Sequence, residues 1–406
     1  MKIKDLGKIV TGKTPDTKKT EFFGDEYPFV TPSDISSYDV YHIQNTERGL
    51  SEKGYLNQKS KLLPPKTVCY VCIGSTIGKI CLTKKLSFTN QQLNNIIVDQ
   101  SKYVPEYIYY RLRYETPRIQ SIASGTGSGK AIYNKTAFED YQLEIHDYPL
   151  QRKIASILSA YDDLIENNTH RIQILEEMAQ LIYQEWFVNF RFPGYEKVKL
   201  INSELGKIPE GWSVEQLDKY VDFERGVEPG SDNYEKNATK ENIPFLRVGD
   251  LGNRSIEIFV DLSLTKNKII NEDDIAVSMD GTPGIVKIGL FGCYSTGIRK
   301  LVIKNNVMKK SFLYFLMISE HIQNIIKAHS KGTTILHASE AIKNMNFILP
   351  ANDLMVTFDS MVSPMIKEIL SFNKKNKILR ETRDLLLPKL ISGELDISDL
   401  DIVIRE

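Results

Sequence analysis

The sequence predicts an α+β protein with an internal pseudo-twofold repeat: two mixed α/β modules separated by two long helices that pair as an antiparallel coiled coil. Three observations predict it. Segments of the first 150 residues recur, in the same order, after residue 240, and long-range self-similarity marks a duplicated architecture. Each copy ends in apolar residues stepping by three and four over about thirty positions, the signature of a long helix with a continuous seam. Proline and glycine punctuation separates the first of these helices from the second copy.

The elements follow in chain order. "YPFVTPSDIS" at 27–36 is echoed by "IPFLRVGDLG" at 243–252, which sets Asp34 opposite Asp250. "TVCYVCIGSTIGKICL" at 67–82 is matched by "DIAVSMDGTPGIVKIGL" at 274–290. Both read as a strand, a turn containing glycine (Gly74, Gly281) and a second strand. "SIASGTGSGKAIY" at 121–133 is matched by "AHSKGTTILHAS" at 328–339, and the segments that follow, "FEDYQLEI" and "IKNMNFIL", alternate as strands in both copies.

The Gly-rich run at 121–133 imitates a phosphate loop. A true one needs Gly, four residues, then Gly-Lys-Ser/Thr, so that backbone N–H groups wrap the phosphates and the hydroxyl holds magnesium. Here those outer slots are Ser124 and Ala131. The run also follows "YIYYRLRYETPRIQSIA", which reads as a helix interrupted at Pro117 rather than a buried strand. The second copy keeps a glycine and small hydroxyl residues but lacks the Gly-Lys pair. The shared role is a turn between a helix and a final strand, with Lys130 either a phosphate or base contact or a solvated loop lysine.

The first seam runs Ile154, Leu158, Tyr161, Ile165, Asn168, Ile172, Leu175, Ala179, Ile182, Trp186. The second runs Met355, Phe358, Val362, Met365, Ile369, Phe372, Asn376, Leu379, Arg383, Leu386. Asn168 and Asn376 sit near the middle of each, where a polar residue fixes register at a cost in stability. Asn168 is followed by a step of four and Asn376 by a step of three, the phases that layer together in an antiparallel pair. The expected organisation is a first module at 1–150, a helix at 151–190, a linker at 191–212, a second module at 213–350, and a second helix with its tail at 351–406. The tail "LLLPKLISGELDI" at 385–397 breaks its helix at Pro388.

Composition narrows the function. A chain of 406 residues holds two or three cores. "MKIKDLGKIV" lacks the apolar run of a signal peptide, and no segment reaches the roughly 18 apolar residues of a membrane span, so a cytoplasmic location is expected. Cys69, Cys72, Cys81 and Cys293 have no second pair at zinc spacing and read as core thiols. HExxH and GxSxG are absent, and the Pro-Pro of "LLPPKTV" at 62–68 lacks the flanks of an adenine-methylation pocket. The chain is therefore expected to be a reader and scaffold, with no catalytic or metal-ligating residues. Formal net charge is zero, but it is unevenly spread: about +4 over 1–150, about −2 over 151–195, near zero to 350 and about −2 in the tail.

Two modules on a helical spacer suit duplex DNA, whose half-sites recur on one face about every 34 Å; about thirty helical residues at about 1.5 Å each are of that order. In the first module Asn90, Gln91 and Gln92 are amides able to pair bidentately with adenine, beside Lys84 and Lys85 for phosphate. In the second, Arg225, Arg247, Arg254 and Arg299 are guanine or phosphate candidates, and Asp250 and Asp280 accept from cytosine. Surface charge and strand-end polarity account for each of these equally well.

At "SELGKIPEGWSVEQL" (203–217), with the repeated modules and "LLLPKLISGELDI", the chain resembles the DNA-specificity subunits of type I restriction–modification systems over essentially its whole length. The resemblance implies two target-recognition domains, each reading one half of a bipartite double-stranded site, and an antiparallel helical spacer. It implies two methylation subunits that bind S-adenosylmethionine and methylate adenine N6, and restriction subunits that use ATP and Mg2+. No cofactor is then bound by this chain. The family often opens its spacer helix with Pro-Leu-x-Glu-Gln. Here "YPLQRKIASIL" keeps Pro149 and Leu150, followed by Gln151 and Arg152, while "LPANDLMVTF" keeps only Pro350, so the two partner-docking surfaces are not expected to be equivalent. Recognition domains vary in sequence, so no base-contact residue is carried over. Two alternatives stand beside this reading: a coiled-coil interaction scaffold carrying two modules for ligands other than DNA, and a reader whose partner fuses all the chemistry on one chain.

Overall fold

The computed structural model describes residues 1–37, 40–43, 45–124, 132–252, 257–332 and 336–402. The chain divides into two compact units, Met1–Asn167 with Asn376–Glu406, and Asn168–Lys375. Each holds one α/β module and one half of each long helix.

In the first unit the strands Gly7–Thr11, Leu93–Val98, Val68–Val71 and Ile80–Leu82 form an antiparallel sheet in that order. Alternation decides its two faces. Val68, Tyr70 and Cys72 join a core with Tyr107, Ile108 and Leu112 of the helix Pro105–Ser124. Cys69, Val71 and Cys81 face a second core with Val10, Val30 and Ile35. All four cysteines are buried and unpaired, as core thiols. A smaller sheet orders Phe23–Gly24, Gly49–Leu50, Tyr27–Val30 and Phe88–Thr89, its last pair parallel. Tyr109 and Tyr110, both fully buried, keep their hydroxyls satisfied: Tyr109 donates to the Val40 carbonyl at 2.8 Å and Tyr110 to Asp162 at 2.5 Å.

The second unit repeats the plan. Val221–Arg225, Ile298–Ile303, Ile275–Ser278 and Val286–Lys287 form an antiparallel sheet with the same order of equivalent strands. Asn242–Leu246 again runs parallel to a neighbour, Gly292–Tyr294. The duplication read from sequence is thus a duplication of topology.

The long helices span Tyr148–Tyr183 and Asn352–Ser392. Within the first unit their halves run antiparallel: Lys153 reaches the Ser398 carbonyl just beyond the second helix, and Asp162 pairs with Arg383. Within the second unit they do so again, with Arg171 over the Phe372 ring and Tyr183 against Phe358. Every seam residue is buried or half-buried.

Two local expectations need correction. The helix Pro105–Ser124 runs through Pro117, and the second long helix runs through Pro388. Both prolines lie on exposed faces, where water satisfies the carbonyl left without its donor, while buried neighbours such as Ile119 and Leu387 hold the helix on its inner side. Within the linker segment Leu200–Ser203 pairs with Gly206–Pro209, and Ile208 and Trp212 are buried beside Phe187 and Phe192. The final strand of the first copy is not formed. Asn134 caps a short helix, Lys135–Asp140, by accepting from the Ala137 N–H, and only a bridge from Gln142 to Lys2 follows. Its counterpart Asn346–Leu349 finds a full partner in Ser213–Gln216.

Candidate nucleic-acid interface

In each module the same set of turns meets at one end of the main sheet. The first is the loop after Gly12 or Gly226. A Cβ on Gly12 would lie 2.2 Å from the Asn90 carbonyl, and one on Gly226 2.1 Å from the Tyr294 carbonyl, so only glycine lets these loops pass against the neighbouring turn. Lys13 N–H donates to Thr89 O and Val227 N–H to Tyr294 O, both at 2.9 Å. Side chains then tie the loop to the turn: Thr14 Oγ1 donates to Gln91 Oε1 at 2.7 Å, and Glu228 Oε1 accepts from Thr296 N and Oγ1 at 3.1 and 3.0 Å. The tie joins equivalent positions through different chemistry.

The aspartates matched in the sequence perform one task. Asp34 Oδ2 accepts from Thr31 N at 2.7 Å, and Asp250 Oδ2 from Arg247 N at 2.9 Å, each closing a turn onto the residue three earlier. Further bonds place the remaining turns in register. Cys72 N–H meets Gln92 O as Met279 N–H meets Gly297 O, and Tyr133 N–H meets Cys72 O as Ala338 N–H meets Met279 O, all at 2.8 Å.

The amides Asn90, Gln91 and Gln92 lie on this end. Asn90 is nearly buried and spent on the turn: its Oδ1 accepts from Gln92 N and its Nδ2 donates to Gln92 Oε1, both at 3.0 Å. Gln91 is exposed. Lys84 and Lys85 lie elsewhere, beyond the far end of strand Ile80–Leu82. Lys84 pairs at 2.7 Å with Glu166 of the first long helix, which also meets His42 Nδ1 at 3.1 Å. Burial pushes the Glu166 carboxyl up, and the bonds from His42 and Lys84 outweigh it, holding the group below its ordinary pKa.

In the second module Arg225, Arg247, Asp250, Asp280 and Arg299 gather at the equivalent end. Arg225 and Arg299 are register partners on adjacent strands. Arg299 is buried and donates to the carbonyls of Thr296 and Ile298 and to Ser339 Oγ. Burial lowers its pKa from the usual value; Asp280 opposes this and Arg225 adds to it. Arg247 forks onto Asp250 at 2.9 and 3.0 Å, and Asp280 meets His337 Nδ1 at 2.7 Å. Arg225 is exposed and no partner holds it among the described residues. Lys130 and Arg254 lie outside the described residues. Asn168 and Asn376 fall in different units; Asn376 is buried.

Sequence reasoning missed Arg48, Lys79 and Glu47. With Phe29, Asp34 and Gln92 they line an open cleft of about 490 Å3 beside the first module's turns. Arg48 follows a stretch without periodicity and immediately precedes a strand of two residues, Gly49–Leu50, so no pattern pointed to it. The assembled groups are hydrogen-bond donors and acceptors; among the described residues no cluster of His, Cys, Asp and Glu is placed to hold a metal, and no helix is long and apolar enough to cross a membrane.

Comparison with known proteins gives these features a family. The model of the type I restriction modification DNA specificity domain matches residues 1–177 and 209–379. The type I restriction enzyme MjaIX specificity subunit of Methanocaldococcus jannaschii is 30% identical over 411 residues, 98% of this chain and 94% of that one. The HindI specificity subunit of Haemophilus influenzae is 34% identical over 172 residues, 41% of this chain and 36% of that one. Among solved structures, the type I S subunit from M. genitalium matches with a TM-score of 0.62 at 16% identity, over 96% of this chain and 95% of that one.

Proposed function

The chain belongs to the type I restriction–modification DNA specificity family, and on that premise we propose that it is the non-catalytic, sequence-reading subunit of a DNA adenine methyltransferase and restriction endonuclease. Each module reads one half of a bipartite duplex target, and the long helices hold the modules and dock the partners. One observation carries this reading: the same turns are built twice with the same backbone bonds and filled with different side chains. A fixed frame with exchangeable polar groups is what reading two different half-sites requires.

The complex includes two methylation subunits, which bind S-adenosylmethionine, and restriction subunits, which use ATP and Mg2+; this chain holds no cofactor. It works in the cytoplasm. Partner docking is supported by the first long helix, where Ile174, Met178 and Leu181 are 41, 45 and 60% exposed. They step by four and three along one face, an apolar stripe of the kind that marks an interaction surface. The neutral net charge fits a reader whose phosphate contacts come largely from partners.

Co-expression with a methylation subunit from the same locus, followed by sequencing of host DNA for N6-methyladenine, tests the proposal. A two-part asymmetric motif with a fixed gap is expected. A stable complex that neither methylates DNA nor binds it in a salt-dependent way refutes it and favours a scaffold for other ligands.

A further inference from the structure

The duplicated backbone bonds allow the two clefts to be compared position by position. Phe29 N–H donates to Arg48 O at 3.1 Å, and Phe245 N–H to Ile258 O at 2.8 Å. Val71 N–H donates to Lys79 O, and Ser278 N–H to Ile285 O, both at 2.9 Å. The second module therefore carries isoleucine at both positions where the first carries a cation. The residue before Arg48 is matched in kind in the second copy, Glu47 in one and Glu257, before Ile258, in the other.

The cations of the first cleft differ in how far they are occupied. Lys79 Nζ reaches the Pro32 carbonyl at 3.3 Å. Arg48 is exposed, and its guanidinium has no partner among the described residues. Beside it Glu47 is exposed; its backbone N–H is bound by Asp34 Oδ1 at 2.7 Å, while its carboxylate remains open. A donor fork and an acceptor from adjacent residues thus line the same cleft.

Resting on the reading of this chain as a DNA specificity subunit, we propose that Glu47 and Arg48, with Lys79 beside them, are specificity-determining residues by which the first module recognises a G·C pair in its half-site. Arg48 donates to guanine O6 and N7, and Glu47 accepts from the cytosine amino group, the pairings that major-groove geometry favours. The alternative use of Arg48, a backbone phosphate, is disfavoured within the same cleft. A phosphate would meet the carboxylates of Glu47 and Asp34, and like charges repel at close quarters, whereas a neutral base edge incurs no such cost. The second cleft, with Ile258 and Ile285, offers apolar surface at these positions and reads a different edge.

The test uses the full chain in complex with its methylation subunit, with the methylated motif read by sequencing and folding checked by thermal unfolding. The first variant is Arg48→Ile with Lys79→Ile, which installs the residues the second copy already carries. The second is Arg48→Lys, which keeps the charge and removes the fork. The wild-type motif is expected to contain a G·C pair in one half. Both variants are expected to relax that single position and to lower methylation of wild-type sites about tenfold or more, leaving the other half and the gap intact. The proposal is overturned if Arg48→Lys retains the full motif, if the double variant weakens all sites evenly with a shallower salt dependence, as phosphate contacts would, or if neither half contains G·C. A wild-type complex that yields no bipartite motif at all sinks the functional reading itself, which is a separate outcome.

Discussion

Replacing Arg383 with methionine isolates the cost of a charge left alone in the first unit. Arg383 is fully buried and Asp162 is 2% exposed; the two are paired, and Asp162 also accepts from Tyr110. Burial raises the Asp162 carboxyl above its ordinary value even with the guanidinium beside it. Removing one partner of such a pair costs about 3–5 kcal/mol, because the remaining charge keeps its desolvation penalty without the Coulombic return. With a urea slope of about 2 kcal/mol/M, the transition of this unit should move down by about 2 M. Replacing both partners, Asp162→Leu with Arg383→Met, should recover about half of the loss and leave about 1–3 kcal/mol for the orphaned Tyr110 hydroxyl, which Tyr110→Phe then removes. Circular dichroism is the assay, with fluorescence as its control: Trp186 and Trp212 both belong to the other unit, so the tryptophan transition should move less. A pH series adds a sign. Without Arg383 the folded pKa of Asp162 lies further above its unfolded value, so the neutral carboxyl's stabilisation is complete below about pH 3.9 and is lost as pH rises through the folded pKa. The deficit of Arg383→Met should therefore be larger at pH 7 than at pH 4. A loss below about 1 kcal/mol at pH 7, a value ordinary for an exposed pair, would refute the reasoning.

Other outcomes follow from the same geometry. Phe358→Ala should cost about 3–5 kcal/mol and move the tryptophan transition, since the buried Phe358 ring packs on Tyr183, Trp186 and Phe187 at 6.2, 6.2 and 5.0 Å. Gly226→Ala forces a Cβ to within 2.1 Å of the Tyr294 carbonyl; in the assembled complex it should blur one half of the methylated motif and spare the other. Met178→Glu with Leu181→Glu should leave circular dichroism unchanged and abolish co-purification with the methylation subunit, because a charge on the apolar stripe must be desolvated on docking. His146 is held below its ordinary pKa by burial, with Arg111 adding to it. The unfolded chain takes up this proton first, so stability should fall as pH drops below about 6.5, and His146→Gln should flatten that slope in urea titrations.

The repeat was legible because strands buried on both faces keep their identity as apolar runs. Val68–Val71 and Ile275–Ser278 are buried throughout and occupy equivalent places in the two sheets. The match of Asp34 with Asp250 was legible for a different reason: the turn needs an acceptor for the N–H three residues back, and a short carboxylate supplies it in both copies. The prolines misled because the cost of proline depends on which side of the helix it faces, and spacing alone leaves that open when the next turn is also apolar. The two-residue strand Gly49–Leu50 that presents Arg48 carried no periodicity at all.

The candidate contacts failed to be legible for one physical reason. Residue type states which hydrogen bonds a side chain can make, whereas recognition uses only those left over once the fold has satisfied its own buried groups. Asn90 and Gln91 are neighbours of the same chemistry, yet Asn90 closes its turn with both ends of its amide while Gln91 remains exposed with one oxygen tied to Thr14. Arg299 and Arg225 face each other across one register position, yet Arg299 spends its fork on two carbonyls and a serine while Arg225 stands free of described partners. Arg48 and Glu47 have the opposite history: they attracted no notice in the sequence because nothing around them is patterned, and they are open for the same reason, since they lie in the irregular segment before the two-residue strand Gly49–Leu50, where no periodic packing claims their side chains. Half-site specificity in such a frame resides in the groups the frame does not use, and comparing the bonds of its two copies is what separates those groups from the rest.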